Sequence, residues 1–222
     1  MATRILFIIT ILALLVGSAI SQEKYVKPVD EAAKDASFLA FRTKLIAAAE
    51  RRDVNYLLSI IDPKIKNGFG GEDGISNFKR VWKITSKKSG FWKEFLPVVK
   101  NGGAFDKSDK TSFMAPYTFS SWPDDVDGFD YEVIFGNNVN LRKEPNMNAE
   151  VVSKLSYNVV EVEYETLGKS DKSVDPEWLP VTTKGGLKGF VKSEFVRSHI
   201  DFRAGFTKKR GVWKMDFFVA GD

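Results

Sequence analysis

The chain has 222 residues, of which 33 are Lys or Arg and 29 are Asp or Glu, and its formal net charge is +4. Because the two signs are mixed along the chain, the clustered basic face of a nucleic-acid-binding protein is missing, and no nucleic acid partner is predicted. Cysteine is absent, which excludes disulfides, cysteine nucleophiles and thiolate metal sites. Aromatic residues make up 13% of the chain, so an aromatic-rich core is expected.

Residues 1–21 are typical of a secretory signal peptide. A positive charge precedes residues 5–16, which form an apolar stretch too short for a comfortable membrane span. Small residues at Ala19 and Ser21 predict cleavage before Gln22. The alternative is a retained N-terminal anchor. We expect an exported protein, periplasmic or extracellular, with no membrane span after cleavage, since no later apolar run approaches the ~18 residues that a span needs.

Apolar residues at spacings of three and four predict helices in the first half of the chain. The helical pattern begins at Asp30. Its apolar face consists of Phe38, Phe41, Leu45, Ala48 and Ala49. Asp53 is the predicted N-cap of a second helix over residues 54–61, and Asp62 and Pro63 are expected to end it.

Two more helices are predicted before the strands begin. Asp73 is the expected N-cap of the third. The apolar residues of this helix are Ile75, Phe78, Val81 and Trp82. Ser89 is the expected N-cap of the fourth, residues 91–99. One or two short strands follow over residues 105–119, and a polar joint at residues 124–130 leads into the next unit.

The C-terminal end of the chain is predicted to form a hairpin. Residues 200–206 and 212–220 have the apolar pattern of two long strands, joined by a turn. An isolated hairpin is only marginally stable in water, so we expect it to pair with the strands near residues 113–119. Residues 217–219 form a continuous apolar run, which predicts that the last strand lies inside a sheet.

These elements predict an α+β fold with two domains. The helices and the C-terminal hairpin form one α+β domain, made of residues 30–128 and 199–222. A β-barrel over residues 131–198 is inserted between these two parts. No internal repeat is found in the sequence.

Short alternating blocks make up the predicted barrel. They are residues 139–145, 149–155, 160–162, 178–181 and 186–197. Each block alternates apolar with polar residues and ends in turn residues, which is typical of a compact all-β barrel. The inward positions are Leu141, Val152, Leu155, Val160, Val162, Val181, Phe190, Val191 and Val196. This order of blocks resembles the bacterial SH3 domain (SH3b) family over residues 135–198.

The resemblance implies a binding module and no catalysis. SH3-like barrels have shallow grooves lined by aromatic side chains, which suit extended peptides. Tyr157, Tyr164 and Trp178 are the candidate ligand-binding residues, but a packing role stays open for each, and Trp178 is expected in the core. The implied partners are cell-wall peptides, such as a peptidoglycan stem or cross-bridge, or an envelope protein. The polar segment 168–177 departs from the family pattern, and it either reshapes the binding face or is a solvated loop.

Two other interpretations stay open. Fragments of the helical part and the final strand resemble the NTF2-like fold, which implies a pocket in the N-terminal domain that binds or converts a small apolar molecule. The aromatic lining of that pocket would be Phe69, Trp82, Phe113, Tyr117 and Trp213. In the other interpretation the barrel only braces the first domain.

No motif in the sequence predicts a catalytic residue, a metal or a cofactor. Residues 68–74 are rich in glycine but lack the Lys-Ser/Thr of a phosphate-binding loop, so a turn with positive φ is expected. The aspartates of residues 124–130 do not match the spacing of a calcium-binding loop. In a strand, His199 and Asp201 would share one face and could form an acid–base pair, but a structural role is expected for them. Four acids that could form a carboxylate pair are Glu72, Asp73, Asp106 and Asp109.

Overall fold

The computed structural model describes residues 22–167 and 176–221. In chain order its α-helices are α1 (Ala36–Glu50), α2 (Val54–Ile60), α3 (Ile75–Trp82), α4 (Phe91–Lys100) and α5 (Tyr117–Ser120). Its strands are β1 (Ile61–Lys66), β2 (Ala104–Phe105), β3 (Ser112–Ala115), β4 (Tyr131–Ile134), β5 (Val139–Arg142), β6 (Val151–Leu155), β7 (Val159–Val162), β8 (Trp178–Thr183), β9 (Lys188–Lys192), β10 (Val196–Arg197), β11 (Arg203–Lys209) and β12 (Val212–Val219). The predicted signal peptide and most of the polar segment 168–177 lie outside the described residues. None of the described helices has the length and apolar character that crossing a membrane requires.

The first sheet contains β1, β12, β11, β3 and β2 in that order. β12 lies between β1, its parallel partner, and β11, its antiparallel partner. β11 also pairs with β3, which places Ala204 opposite Ala115 and Thr207 opposite Ser112. The predicted return of the C-terminal hairpin to the strands near residues 113–119 is therefore confirmed, and so is the internal position of the last strand.

The structure corrects the C-terminal end of the predicted second helix. The helix ends at Ile60, and Ile61 begins β1, where it lies opposite Met215. The predicted stop at Asp62 and Pro63 is thus inside a strand. Pro63 is tolerated because β1 is an edge strand with one partner, so a residue without an N–H does not interrupt a second ladder.

One aromatic cluster fills the space between the helices and the first sheet. Phe38 of α1 is fully buried, and its ring centroid lies 4.1 Å from that of Phe113 and 4.8 Å from that of Trp213. At the other end of the cluster, the ring of Phe218 lies 5.2 Å from that of Phe91. Each such buried side chain contributes about 1.5–3 kcal/mol relative to an exposed one. The helices are therefore held mainly by aromatic packing on the sheet.

Of the predicted N-caps, Asp53 is confirmed. Its carboxylate accepts a hydrogen bond from the backbone N–H of Tyr56 at 2.9 Å. The cap of α4 is Gly90, one residue after the predicted Ser89. The Ser89 hydroxyl still accepts a hydrogen bond from the N–H of Phe91 at 3.3 Å, so it binds one of the backbone N–H groups that have no partner within the helix.

The predicted cap of α3 is wrong. The side chain of Asp73 forms an ion pair with Lys66, and Gly74 occupies the N-cap position. Gly74 has a φ of +94°, so the predicted positive φ of loop 68–74 occurs at this residue. Val81 is 52% exposed, which places it on the outer side of α3 and not on the predicted apolar face.

The second sheet contains β10, β4, β7, β8, β9, β5 and β6 in that order. Its core consists of Ile134, Val139, Leu141, Leu155, Val160, Leu179, Val181 and Val191. Two predicted inward residues are corrected. Phe190 is half-buried and lies opposite Arg142, on the other side of β9 from the core residue Val191. Val152 is 45% exposed because the β5–β6 register shifts between Leu141 and Arg142, which leaves Val152 as the extra residue of a bulge.

A lead-in segment, residues 22–30, contacts both sheets. The N–H of Val26 donates to the carbonyl of Tyr157 at 2.9 Å, next to the second sheet. A few residues later, the N–H of Gly103 donates to the carbonyl of Val29 at 2.8 Å, next to the first sheet. A separate group of buried residues lies around this segment: Val26, Tyr117, Val126, Val133 and Val159. The two sheets therefore share an apolar boundary that the lead-in segment helps to fill.

Candidate functional site

The outer face of the second sheet carries Trp178. Trp178 of β8 lies directly opposite Lys192 of β9, and Phe190 of β9 lies opposite Arg142 of β5. Residues directly opposite one another in antiparallel strands share a face, and so do residues two apart along one strand. These four side chains therefore form one outward-facing row, while Leu179 and its neighbours fill the core on the other side.

Trp178 lies in an open groove of about 280 Å³. Two large apolar side chains beside it are exposed, Met147 by 58% and Phe195 by 37%. The prediction that Trp178 belongs to the core is wrong: its ring is half-buried and contributes to the groove. Exposed aromatic and Met side chains that converge on one groove are typical of a surface that becomes buried on binding.

Two cations border the same groove. The ammonium of Lys192 lies 5.9 Å from the centroid of the Trp178 ring and 3.5 Å from the Glu177 carboxylate. The guanidinium of Arg142, a group with five N–H donors, donates to the carbonyl of Ala149 at 2.7 Å. The polar lining also includes three amides and one acid: Asn137, Asn138, Asn140 and Glu194. The groove can thus pack an apolar side chain on Trp178 while amides and cations bind the backbone or a carboxylate.

Tyr164 lies in a different groove, of about 650 Å³, which is lined by residues of β4 and β7. Its ring is 54% exposed, and its hydroxyl donates to the carboxylate of Glu132. Burial raises the pKa of Glu132, and the hydrogen bond from Tyr164 opposes that shift. The rest of the lining is strongly acidic and includes Glu161, Glu163 and Glu165. This groove would repel a ligand that carries carboxylates.

Tyr157 lies at the boundary between the two sheets. Its φ is +61°, which is unusual for a residue with a bulky side chain. With Tyr117, Phe135 and Asp30 it lines a cavity of about 350 Å³. Burial raises the pKa of the Tyr117 hydroxyl. The three predicted aromatic residues therefore lie at three separate places, and the structure does not bring them together.

The aromatic residues predicted to line an NTF2-like pocket do not surround a common cavity. Phe38 fills the space between Phe113 and Trp213, as the ring distances show. Trp82 packs on the ring of Phe218 at 5.4 Å. Phe69 is 58% exposed. The space that this interpretation requires is therefore occupied by the core.

The titratable residues considered for catalysis have structural contacts. The ring of His199 stacks on that of Trp122 at 4.7 Å, and Asp201 forms an ion pair with Arg197 at 3.2 Å. Glu72 binds Arg80 at 2.7 Å. Asp106 and Asp109 accept hydrogen bonds from the backbone N–H groups and the hydroxyls of their own loop, where Ser108 and Thr111 are donors. Within residues 22–167 and 176–221, no group of three or more His, Asp or Glu side chains is placed to hold a metal ion.

Sequence reasoning missed most of the Trp178 groove. Met147 lies on the loop between β5 and β6, whereas Phe195 ends a short 3-10 helix after β9, and the pairing of β5, β9 and β8 brings both to Trp178. The signal that could have found it is alternation: Trp178 and Lys192 each flank a core residue of their strand, so both must point outward.

Comparisons with known proteins agree with this geometry. The family model of the bacterial SH3 domain matches residues 137–197. No curated protein and no solved structure matches the chain. The matched range begins just before β5 and ends with β10, so it contains the whole Trp178 groove. Bacterial SH3 domains generally bind peptides or cell-wall ligands, and residues 137–197 of this chain match the model of that domain.

Proposed function

We propose that this protein is an exported, non-enzymatic binding protein whose SH3 domain holds an extended peptide of the cell wall, or of an envelope protein, in the Trp178 groove. The observation that carries the proposal is the half-buried Trp178 ring in an open groove with Met147 and Phe195 beside it. An extended peptide loses little backbone freedom when it enters such a groove, so a shallow surface is sufficient for binding.

The charge of the groove supports a ligand with carboxylates. Lys192 and Arg142 lie on the same face as Trp178, and these two cations outnumber the one acid of the lining, Glu194. Cations at the rim of a groove guide an anionic partner into register. Cell-wall stem peptides are short, extended and carry carboxylates. They fit the Trp178 groove better than the acidic groove at Tyr164, where Glu161 and Glu163 would repel them.

We also propose that the SH3 domain is an inserted domain. The α+β domain would consist of residues 30–128 and 199–222, with residues 131–198 between them. The pairing of β11 with β3 and of β12 with β1 supports this arrangement, because strands from both ends of the chain complete one sheet. An inserted domain is tied to its host at both ends, and the boundary cluster around Val26 would hold its groove in a fixed direction.

Pull-down on purified cell-wall sacculi tests the binding site. The protein starting at Gln22 is mixed with sacculi, and the bound fraction is compared for the wild type, Trp178→Ala and Tyr164→Ala. We expect Trp178→Ala to weaken binding by roughly 30-fold, as truncation of a central aromatic anchor does. Tyr164→Ala is the matched control because its exposed ring lies in the other groove, and it should bind like the wild type.

Thermal unfolding of both variants shows whether the domain is intact. If folded Trp178→Ala protein binds sacculi as well as the wild type, the groove assignment is wrong. The wild type could instead fail to bind sacculi and bind a peptide of an envelope protein, with Trp178→Ala abolishing that binding. In that case the groove assignment is correct and its ligand is the envelope protein.

N-terminal sequencing tests export. The apolar stretch at residues 5–16 and the small residues Ala19 and Ser21 support cleavage before Gln22. Protein recovered from the periplasm or the medium should begin at Gln22. Recovery only in the cytoplasm, with Met1 intact, contradicts the proposed localisation.

A further inference from the structure

The boundary between the two sheets contains a cavity of about 350 Å³, which we call the boundary cavity. Three parts of the chain line it: residues 28–30 of the lead-in segment, residues 100–102 at the end of α4, and the aromatic residues Tyr117, Phe135 and Tyr157. Ligand pockets occur preferentially where two domains meet, and volumes of about 300–1,000 Å³ are typical of them. The boundary cavity lies at the lower end of that range, so it is suited to a small ligand.

Tyr117 brings a hydroxyl without a partner to this cavity. The residue is 3% exposed, and within residues 22–167 and 176–221 no group forms a hydrogen bond with its hydroxyl. The oxygen keeps some accessible surface, and the cavity that the residue lines gives access to it. Polar groups of buried residues are nearly always hydrogen-bonded, and an exception calls for an explanation. A ligand that binds this hydroxyl would supply one.

Aromatic rings form the apolar part of the lining. The rings of Tyr117 and Phe135 are stacked, and the ring of Tyr157 meets that of Tyr117 edge-on. Burial raises the pKa of the Tyr117 hydroxyl, and the neighbouring Tyr157 hydroxyl raises this pKa further. The boundary cavity therefore combines apolar ring surface with two hydroxyls, each of which can both donate and accept a hydrogen bond.

The charged residues of the lining already have partners. Asp30 binds the guanidinium of Arg42 at 2.7 Å, and the ammonium of Lys100 binds Glu50 at 2.6 Å. Besides the two tyrosines, the other polar side chain of the lining is the neutral amide of Asn101. An anionic ligand would lie near the Asp30 carboxylate, and a cationic ligand would lie near the Lys100 ammonium. The lining therefore favours a ligand without net charge.

We propose that the boundary cavity binds one ring of a neutral sugar. A sugar ring has a face of C–H groups that can pack on an aromatic ring, and hydroxyls that both donate and accept hydrogen bonds. A purely apolar ligand would leave the Tyr117 hydroxyl without a partner, which is unfavourable in a buried site. The boundary cavity and the Trp178 groove share no lining residue. This site therefore goes beyond the proposed peptide binding and does not depend on it.

Titration with simple sugars tests the site. N-acetylglucosamine and glucose are added to the protein starting at Gln22, and binding is followed by ligand-observed NMR. We expect a Kd on the order of 1 mM for at least one of them, which is ordinary for a ligand of this size. At about ten times the Kd, the melting temperature should rise by roughly 2–5 °C. Glucosamine and glucuronate carry one charge each and should bind at least roughly fivefold more weakly, because a charge that enters the cavity loses water without gaining a free counter-ion.

Removal of a single oxygen atom identifies the contact. Tyr117→Phe keeps the stacked ring and should weaken binding of the neutral sugar by roughly fivefold, the effect of one lost hydrogen bond. Without sugar its melting temperature should not fall, because the hydroxyl has no protein partner to lose among the described residues. Tyr56→Phe is the matched control. It removes the hydroxyl of a half-buried tyrosine on α2 that does not line the cavity, and it should bind the sugar like the wild type.

Either of two results would overturn the proposal. One is that neither neutral sugar binds at tens of millimolar. The other is that folded Tyr117→Phe binds the sugar as tightly as the wild type, which would give the hydroxyl a structural role only.

The linear trimer of N-acetylglucosamine then identifies the source of the ring. Tighter binding of the trimer than of the single sugar indicates a glycan chain, and equal binding indicates a free sugar; both support the site. Trp178→Ala should bind the neutral sugar like the wild type. Peptide binding in the Trp178 groove and sugar binding in the boundary cavity can therefore fail separately.

Discussion

The rings of Tyr117 and Phe135 lie almost parallel across the boundary between the two sheets, with 11° between their planes and 5.7 Å between their centroids. Tyr117 begins α5, which follows β3 of the first sheet, whereas Phe135 follows β4 of the second. Tyr157 meets the Tyr117 ring edge-on at 6.5 Å. This contact joins the SH3 domain to the rest of the chain by packing as well as by covalent connection.

We expect Phe135→Ala to uncouple the two parts of the protein. Losing a half-buried ring and its stacking on Tyr117 should destabilise the boundary by about 2 kcal/mol. Calorimetry should then show two unfolding transitions where the wild type shows one. Met147→Ala removes a side chain that is 58% exposed and lies away from this boundary, so it should keep the wild-type profile. A single unshifted transition for Phe135→Ala would show that the stacking does not couple them.

We expect Glu23→Ala to destabilise the SH3 domain although Glu23 precedes it by more than a hundred residues. Its carboxylate accepts hydrogen bonds from Thr183 at 2.5 Å and from Asn158 at 3.1 Å. Both partners are buried, so losing the acceptor should cost about 1–3 kcal/mol in urea unfolding. The neighbouring Lys24 forms an exposed ion pair with Asp125, and Lys24→Ala should change stability by less than about 1 kcal/mol. Equal effects of the two variants would contradict the role of Glu23.

We expect Phe218→Ala to be among the most damaging substitutions in the first sheet. Phe218 lies on the internal strand β12 and is 1% exposed. Its truncation should lower the free energy of unfolding by about 3–5 kcal/mol, measured by chemical denaturation. The cost has two parts: the transfer free energy of the lost ring atoms and the penalty for the cavity that they leave. Phe129→Ala, at a ring that is 70% exposed, is the matched control. Amide exchange should agree, with the slowest exchange of the hairpin along β12; exchange as fast as that of a free tail would be inconsistent with an internal strand.

The cap of α1 should make stability depend on pH in acid. The Asp35 carboxylate accepts hydrogen bonds from the Ser37 hydroxyl at 2.6 Å and from the Phe38 N–H at 3.0 Å. These bonds, the Ser37 hydroxyl first, lower the pKa of Asp35 to about 2. Since the unfolded value is about 3.9, this contribution is complete above roughly pH 4 and is lost as the pH falls towards 2.

Two variants separate the cap from its charge. Asp35→Ala should cost about 1 kcal/mol at neutral pH. Asp35→Asn keeps an acceptor at the N-cap, so it should retain most of the stability and lose the pH dependence between roughly pH 4 and 2. Urea titrations at several pH values measure both effects. If the free energy of unfolding of Asp35→Asn still falls with pH as steeply as that of the wild type, the acid sensitivity comes from other carboxylates.

Local patterns predicted the elements that depend on nearby residues. Periodicity located α1, the Asp53 cap and the strands of the SH3 domain, because an apolar stripe or an alternation is written into a short stretch of chain. Local patterns could not predict β1. Its partner β12 lies at the other end of the chain, and Asp62 and Pro63 within it are typical of a helix end.

The candidate site was predictable only in part. Alternation places Trp178 on the strand, but its exposure depends on how β5, β9 and β8 lie beside one another. Val152 shows the limit most clearly, since a single bulge moves it from the expected inward face to the surface. The contact between Tyr117 and Phe135 has no local signal, because it depends on how the two sheets meet.

The position of β12 has a consequence for the order in which the protein can fold. β1 is made early in synthesis, yet among the described strands its one partner, β12, is synthesised last. The strands of the SH3 domain pair with neighbours much closer in sequence, so that domain can form as soon as β10 is available. Until β12 arrives, β1 cannot pair with the rest of the first sheet, and α2 lacks its contacts with β12. The part of the protein that is synthesised first is therefore completed last, and any chain that terminates before Val212 exposes the apolar face of its helices.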